Sequence, residues 1–127
     1  MPFDWLDFFT LAQQLAANAD AASKRTAISR AYYFIFHVAY FRALANGAVK
    51  PANVTTHAWC WLKYSNTPDP ACSALGPDGA RLKRLRHKAD YESADIPRLD
   101  VVCNRMLTDV QQLHADIMAL NPLYPTP

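Results

Sequence analysis

The chain has 127 residues, of which 51% are hydrophobic and 19% charged, with a formal net charge of +2. That is enough apolar surface for one core of ordinary size, and it excludes an intrinsically disordered chain. Three glycines, Gly47, Gly76 and Gly79, are few for a strand-rich domain with many tight turns, and a charge of +2 does not by itself mark a nucleic-acid binder.

Trp5, Phe8, Leu11, Ala12 and Leu15 recur at helical spacing and predict a first helix from about Asp4 to Ala17. Asn18-Ala19-Asp20 breaks it, and the Asp20 carboxylate is placed to cap the next helix by accepting from the Ala22 or Ser23 N–H. The second helix, about Ala21 to Asn46, carries Ile28, Ala31, Tyr32, Ile35, Val38, Ala39 and Phe41 and is apolar on nearly every face. A helix of that kind is either the centre of a bundle or shared with a second copy. Gly47 suits its end, and Ala48 to Asn53 reads as a loop. A third helix, about Val54 to Tyr64, places Trp59 and Leu62 inward. Ser65 to Pro70 breaks the pattern, with a short helical turn to follow around Ala71 to Leu75. Gly76-Pro77-Asp78-Gly79 reads as a turn in which Asp78 caps a fourth helix, about Gly79 to Glu92, with Leu82, Leu85 and Ala89 as its core stripe. The last helix runs from about Pro97, a favourable first-turn residue, to Leu120. Its stripe is Val101, Val102, Met106, Val110, Leu113, Ile117 and Leu120. Residues 1–120 then form one domain and residues 121–127 a flexible C-terminal tail. The fold class is all-α, an up-and-down bundle of four to five helices.

Cys60, Cys72 and Cys103 are odd in number and form no CxxC pair, which argues against a disulfide framework and for a reducing, cytoplasmic setting. The first residues lack the basic and apolar regions of a secretory leader. The apolar run from Ala31 to Leu44 contains His37 and Arg42 and is too short to span a bilayer, so no membrane partner is expected. No Cys/His cluster, HExxH, Walker loop or GxGxxG is present, so neither a metal nor a cofactor is expected.

Five of the 13 Lys and Arg residues fall between Arg81 and Lys88. Such a stripe attracts phosphates, and it is equally what a solvated helix face looks like. Arg84, His87 and Tyr91 share one face at i, i+3 and i+7, where they can bind a phosphate and offer a proton-transfer group. Arg86 and Asp90 at i, i+4 also fit an ordinary ion pair. Arg30, Tyr33 and His37 make a second polar stripe, suited to a scaffold role through hydrogen bonds to Asp90 or to a direct phosphate contact by Arg30. Trp59, Trp61 and Tyr64 fit a core, or a base-stacking surface. His57 and His114 read as surface or cap residues.

Two segments carry a family resemblance. Ser29-Arg-Ala-Tyr-Tyr-Phe-Ile-Phe-His37 resembles the SRAYYxxFH signature of a subgroup of the HEPN family, and Leu82-Lys-Arg-Leu-Arg-His-Lys-Ala-Asp-Tyr91 is similar to its LxxLRxxADY segment. The resemblance covers roughly Asp20 to Leu120. It implies a dimerising helical bundle that acts on RNA or a nucleotide, often as a metal-independent endoribonuclease of a toxin or defence system, sometimes paired with a nucleotidyltransferase-type antitoxin. The family's motif is an Arg followed after four to six residues by a His. The Arg holds the scissile phosphate, the His moves protons, and the RNA 2′-hydroxyl attacks. Arg81 and His87 have that separation, but on one helix they point about 120° apart. Alignment on Arg86, followed by polar His87, keeps the subgroup pattern and places Asp90 or Tyr91 where the His is expected. The implied catalytic set is therefore Arg86, His87, Asp90 and Tyr91, with Arg81, Lys83, Arg84 and Arg30 as RNA- or phosphate-binding residues. A non-catalytic module that binds RNA, nucleotide or a partner protein is the alternative.

Overall fold

The structure, a computed structural model, describes residues 2–127. It is an all-α bundle with no strand among the described residues. The helices are α1 (Leu6–Ala16), α2 (Ala21–Ala45), α3 (Thr56–Ser65), the single turn α4 (Pro70–Ser73), α5 (Leu75–Tyr91) and α6 (Leu99–Met118). No helix is long and apolar enough to cross a membrane.

The helix at the centre is α2, which packs against α1, α3, α5 and α6. Its start is fixed as expected, with Asp20 accepting from the Ser23 N–H at 2.9 Å. Its end is fixed by Gly47, whose φ of 97° an L side chain adopts only with strain. Ala27, Ile28, Phe34, Ile35 and Phe36 are buried on several sides of the helix, and of its large apolar side chains Phe41 stays exposed. Four neighbours within the chain therefore cover most of α2, and its apolar surface is not in itself a reason for a second copy.

Three expectations are corrected. Gly76 to Gly79 is helix, not a turn, so Asp78 lies in the first turn of α5 rather than capping it. Pro77 is tolerated there because the first four N–H groups of a helix have no intrahelical acceptor. The glycines serve close approach instead: a Cβ at Gly79 would overlap the Trp61 ring, and one at Gly76 would overlap Ser65. In α3 the buried side chains are Trp59, Cys60, Trp61 and Tyr64, while Leu62 faces outward. The C-terminal segment is docked. Arg42 donates to the carbonyls of Tyr124 at 2.7 Å and Asn121 at 3.1 Å, Asn46 donates to that of Pro125, and Thr126 N–H donates to Thr67 Oγ1. Cys60, Cys72 and Cys103 are free and buried, and burial pushes the Cys60 thiol up to about 12.

Candidate functional site

The basic helix α5 divides its polar residues between two sides. Lys83 and Asp90 lie within about 60° of Arg86 around the helix, whereas Arg84, His87 and Tyr91 lie about 100–160° away. Leu82 and Ala89, both buried, turn the Arg86 side toward α2 and α3. Arg86 is consequently only 7% exposed. Its guanidinium carbon lies 5.4 Å from the centre of the Tyr32 ring and 5.3 Å from that of Tyr33. Its Nε is buried without a hydrogen-bond partner. The Asp90 carboxylate forms the expected i,i+4 ion pair with it at 3.7 Å, too far for a hydrogen bond, and also accepts from Ser29 Oγ at 3.0 Å.

A chain of hydrogen bonds lies beside this arginine. The Trp61 indole Nε1–H donates to the Tyr32 hydroxyl at 3.1 Å, and that hydroxyl is 2.8 Å from His57 Nδ1. An indole nitrogen can only donate, so the Tyr32 oxygen accepts from it, and a Tyr32 proton directed to Nδ1 is the arrangement that leaves neither hydroxyl nor indole donor unused. The network thus assigns the imidazole proton to Nε2. The His57 ring also stacks on Phe36, with centroids 3.9 Å apart. Burial, then the positive charges of Arg86 and Lys83, pull the His57 pKa down to about 4. Burial raises that of Tyr32, which keeps its proton. The result is a neutral His57 near two cations.

The Arg30, Tyr33 and His37 stripe forms a separate aromatic layer. The Arg30 guanidinium carbon lies 4.7 Å from the Phe8 ring centre and 4.9 Å from that of Tyr33. His37 stacks on Trp5 at 3.6 Å and its Nδ1 donates to the Tyr33 carbonyl at 2.6 Å. Burial lowers the His37 pKa. The partner of Asp90 on α2 is therefore Ser29, not Arg30 or Tyr33.

The eight residues singled out from the sequence do not form one constellation. Arg86, Asp90 and Lys83 face α2 and α3. Exposed His87 packs on Tyr91, with ring centroids 4.9 Å apart, on the outer side of α5, and Arg84 is exposed there too. Arg81 turns to α6 and pairs with Asp109 at 3.1 Å, so Arg81 and His87 do not converge. Sequence reasoning gave Tyr32 and His57 no part in the site and weighed Trp61 only for the core or for base stacking. His57 is half-buried rather than a surface or cap residue, and the buried Trp59 and Trp61 offer no open face for stacking bases. One signal was available: Arg86 falls on the 79, 82, 86, 89 stripe, where spacing calls for an apolar residue.

The chain matches no family profile, no curated protein and no solved structure.

The assembled site holds a recessed guanidinium that lacks full hydrogen bonding, a second cation in Lys83, and a neutral imidazole whose Nε2–H can donate. All three suit an anion. Of its two possible bases, Nδ1 of His57 is engaged by Tyr32, while Asp90 accepts one bond from Ser29 and is paired with Arg86.

Proposed function

We propose that this chain is a HEPN-like, RNA-directed helical domain in which Arg86 anchors a phosphate and the site binds rather than cleaves. One observation carries this reading. A cation more than nine-tenths buried, with its Nε unpartnered and its ion-pair partner Asp90 3.7 Å away, too far for a hydrogen bond, is costly unless a ligand completes it. The two segments that resemble the family supply Ser29, Tyr32, Tyr33, Arg86 and Asp90 to this one place, which supports the RNA-directed version.

Metal-independent cleavage is the second reading. In its favour, Arg86 lies near a histidine, His57, the pair of residue types that attack by a 2′-hydroxyl requires. A homodimer, a toxin or defence role, and a nucleotidyltransferase-type antitoxin belong to the proposal through the family resemblance.

Both versions are tested by incubating the protein with RNA in EDTA and measuring binding by fluorescence anisotropy and cleavage on a gel. We expect binding without turnover, weakened roughly tenfold or more by Arg86→Gln. Arg105→Ala, which removes an exposed cation of α6 away from the site, serves as the control and leaves binding unchanged. Cleavage lost in His57→Gln would select the second reading. RNA affinity unaffected by Arg86→Gln would overturn the phosphate anchor itself.

A further inference from the structure

Resting on the reading of Arg86 as a phosphate anchor, we propose that the phosphate it takes is terminal: a phosphate monoester at the end of an RNA strand or on a mononucleotide, not an internal phosphodiester. The first argument is depth. Only 8% of the Arg86 side chain is exposed, and the Tyr32 and Tyr33 rings flank it. An internal phosphodiester carries a ribose on each side and meets a guanidinium that stands proud of the surface. A terminal phosphate presents three free oxygens on one narrow end and reaches a recessed one.

The second argument is charge. Arg86 and Lys83 supply two positive charges near His57, whose Nε2–H is a neutral donor. The one carboxylate beside Arg86, Asp90, keeps its negative charge at 3.7 Å, but 26% of its side chain is exposed, so solvent screens it more than it screens the 8% exposed Arg86. A phosphate monoester carries about −1.5 to −2 at neutral pH, against −1 for a diester, and so matches this pair better.

Of the two cations, Lys83 also borders an apolar groove. The groove of about 280 Å³ between α3 and α5 begins at Lys83 and is walled by Ala58, Leu62, Pro77 and Ala80 over Trp61. It lies just below the roughly 300–1,000 Å³ of pockets that enclose drug-sized ligands. It therefore suits one terminal base and not a run of bases. Its apolar walls offer little to read base identity, so the site selects the strand end by its phosphate.

The test compares one short RNA oligonucleotide carrying a 5′-phosphate, a 3′-phosphate or hydroxyls at both ends, together with a mononucleotide as competitor, by anisotropy. We expect one phosphorylated end to bind roughly ten- to hundredfold tighter than the hydroxyl-ended strand, the scale of one or two charge-assisted hydrogen bonds. That ratio should collapse in Arg86→Gln and shrink in Lys83→Ala, whose half-buried surface position spares the fold should Arg86→Gln unfold. The two phosphorylated arms show which end is preferred, and competition by the mononucleotide shows whether a strand is needed. Equal affinity for all three strands, lost in Arg86→Gln or Lys83→Ala, would sink the terminal-phosphate inference and leave the anchor standing. Affinity indifferent to both substitutions would remove the anchor as well.

Discussion

Arg86→Met separates a functional cation from a structural one. The substitution keeps a long, flexible side chain of similar reach and deletes the charge. On the losing side are two contacts with tyrosine rings at 5.4 and 5.3 Å, together about 1–4 kcal/mol for a largely desolvated guanidinium, and the ion pair with Asp90 at 3.7 Å. On the gaining side, the buried Nε without a partner disappears, which relieves about 1–3 kcal/mol, and an apolar side chain fills the same space. Asp90 is not stranded, because 26% of its side chain is exposed and Ser29 donates to it. The terms nearly cancel, so Arg86→Met should lie within about 2 kcal/mol of the wild type, because the Asp90 carboxylate it leaves is partly exposed rather than a stranded buried charge. Urea denaturation measures this directly, and the same preparation should lose its phosphate-dependent RNA affinity. A loss of about 3 kcal/mol or more, the size expected when a needed partner of a buried pair is deleted, would refute the reasoning and make Arg86 part of the scaffold.

Tyr32→Phe leaves the buried Trp61 N–H without an acceptor and should cost about 1–3 kcal/mol in urea denaturation. It also frees His57 Nδ1, so the imidazole resonance should titrate at higher pH; no change in either readout would contradict the Trp61–Tyr32–His57 chain. His57 has a folded pKa of about 4, below the ordinary 6.5, so the unfolded chain binds the extra proton first. The contribution of neutral His57 is therefore whole above pH 6.5 and lost as pH falls toward 4. The urea midpoint should decline over that window less steeply in His57→Gln, and parallel pH profiles would count against the assignment. Gly79→Ala gains about 1 kcal/mol of helix propensity but drives a methyl into the Trp61 ring, an overpacking cost of about 1–3 kcal/mol. Tm should fall, whereas a rise would mean that α5 does not rest on Trp61.

The periodic elements were readable because burial imposes their pattern. The long apolar α2 and the 3.6-residue stripe of α6, with Met106, Val110, Leu113 and Ile117 buried, emerged from spacing alone. The start of α5 did not, because Gly76-Pro77-Asp78-Gly79 has the local chemistry of a turn and only the ring of Trp61, in another helix, explains its glycines. The docked C-terminus was hidden for a different reason. Arg42 holds it through the backbone carbonyls of Asn121 and Tyr124, and a backbone acceptor has no sequence signature. The place of His57 in the site was hidden because its partner, Tyr32, lies 25 residues earlier in another helix.

The basic segment shows most sharply where sequence geometry stops. Spacing on a helix says which residues share a face, and Arg84, His87 and Tyr91 do share one. It does not say which face is buried. That is decided by contacts across the bundle, here Gly79 against Trp61 and Leu82 and Ala89 in the core. Positions 79, 82, 86 and 89 follow a 3-4-3 spacing, so the buried stripe of α5 runs through Arg86. Selection for stability alone would place Leu or Met there, because a guanidinium with an unpartnered Nε is a poor core group. A charge at the centre of an apolar stripe, beside a histidine held neutral, therefore points to the inner face of α5 as the functional one, and it ranks Arg86 with Lys83 and His57 ahead of the exposed His87 and Tyr91.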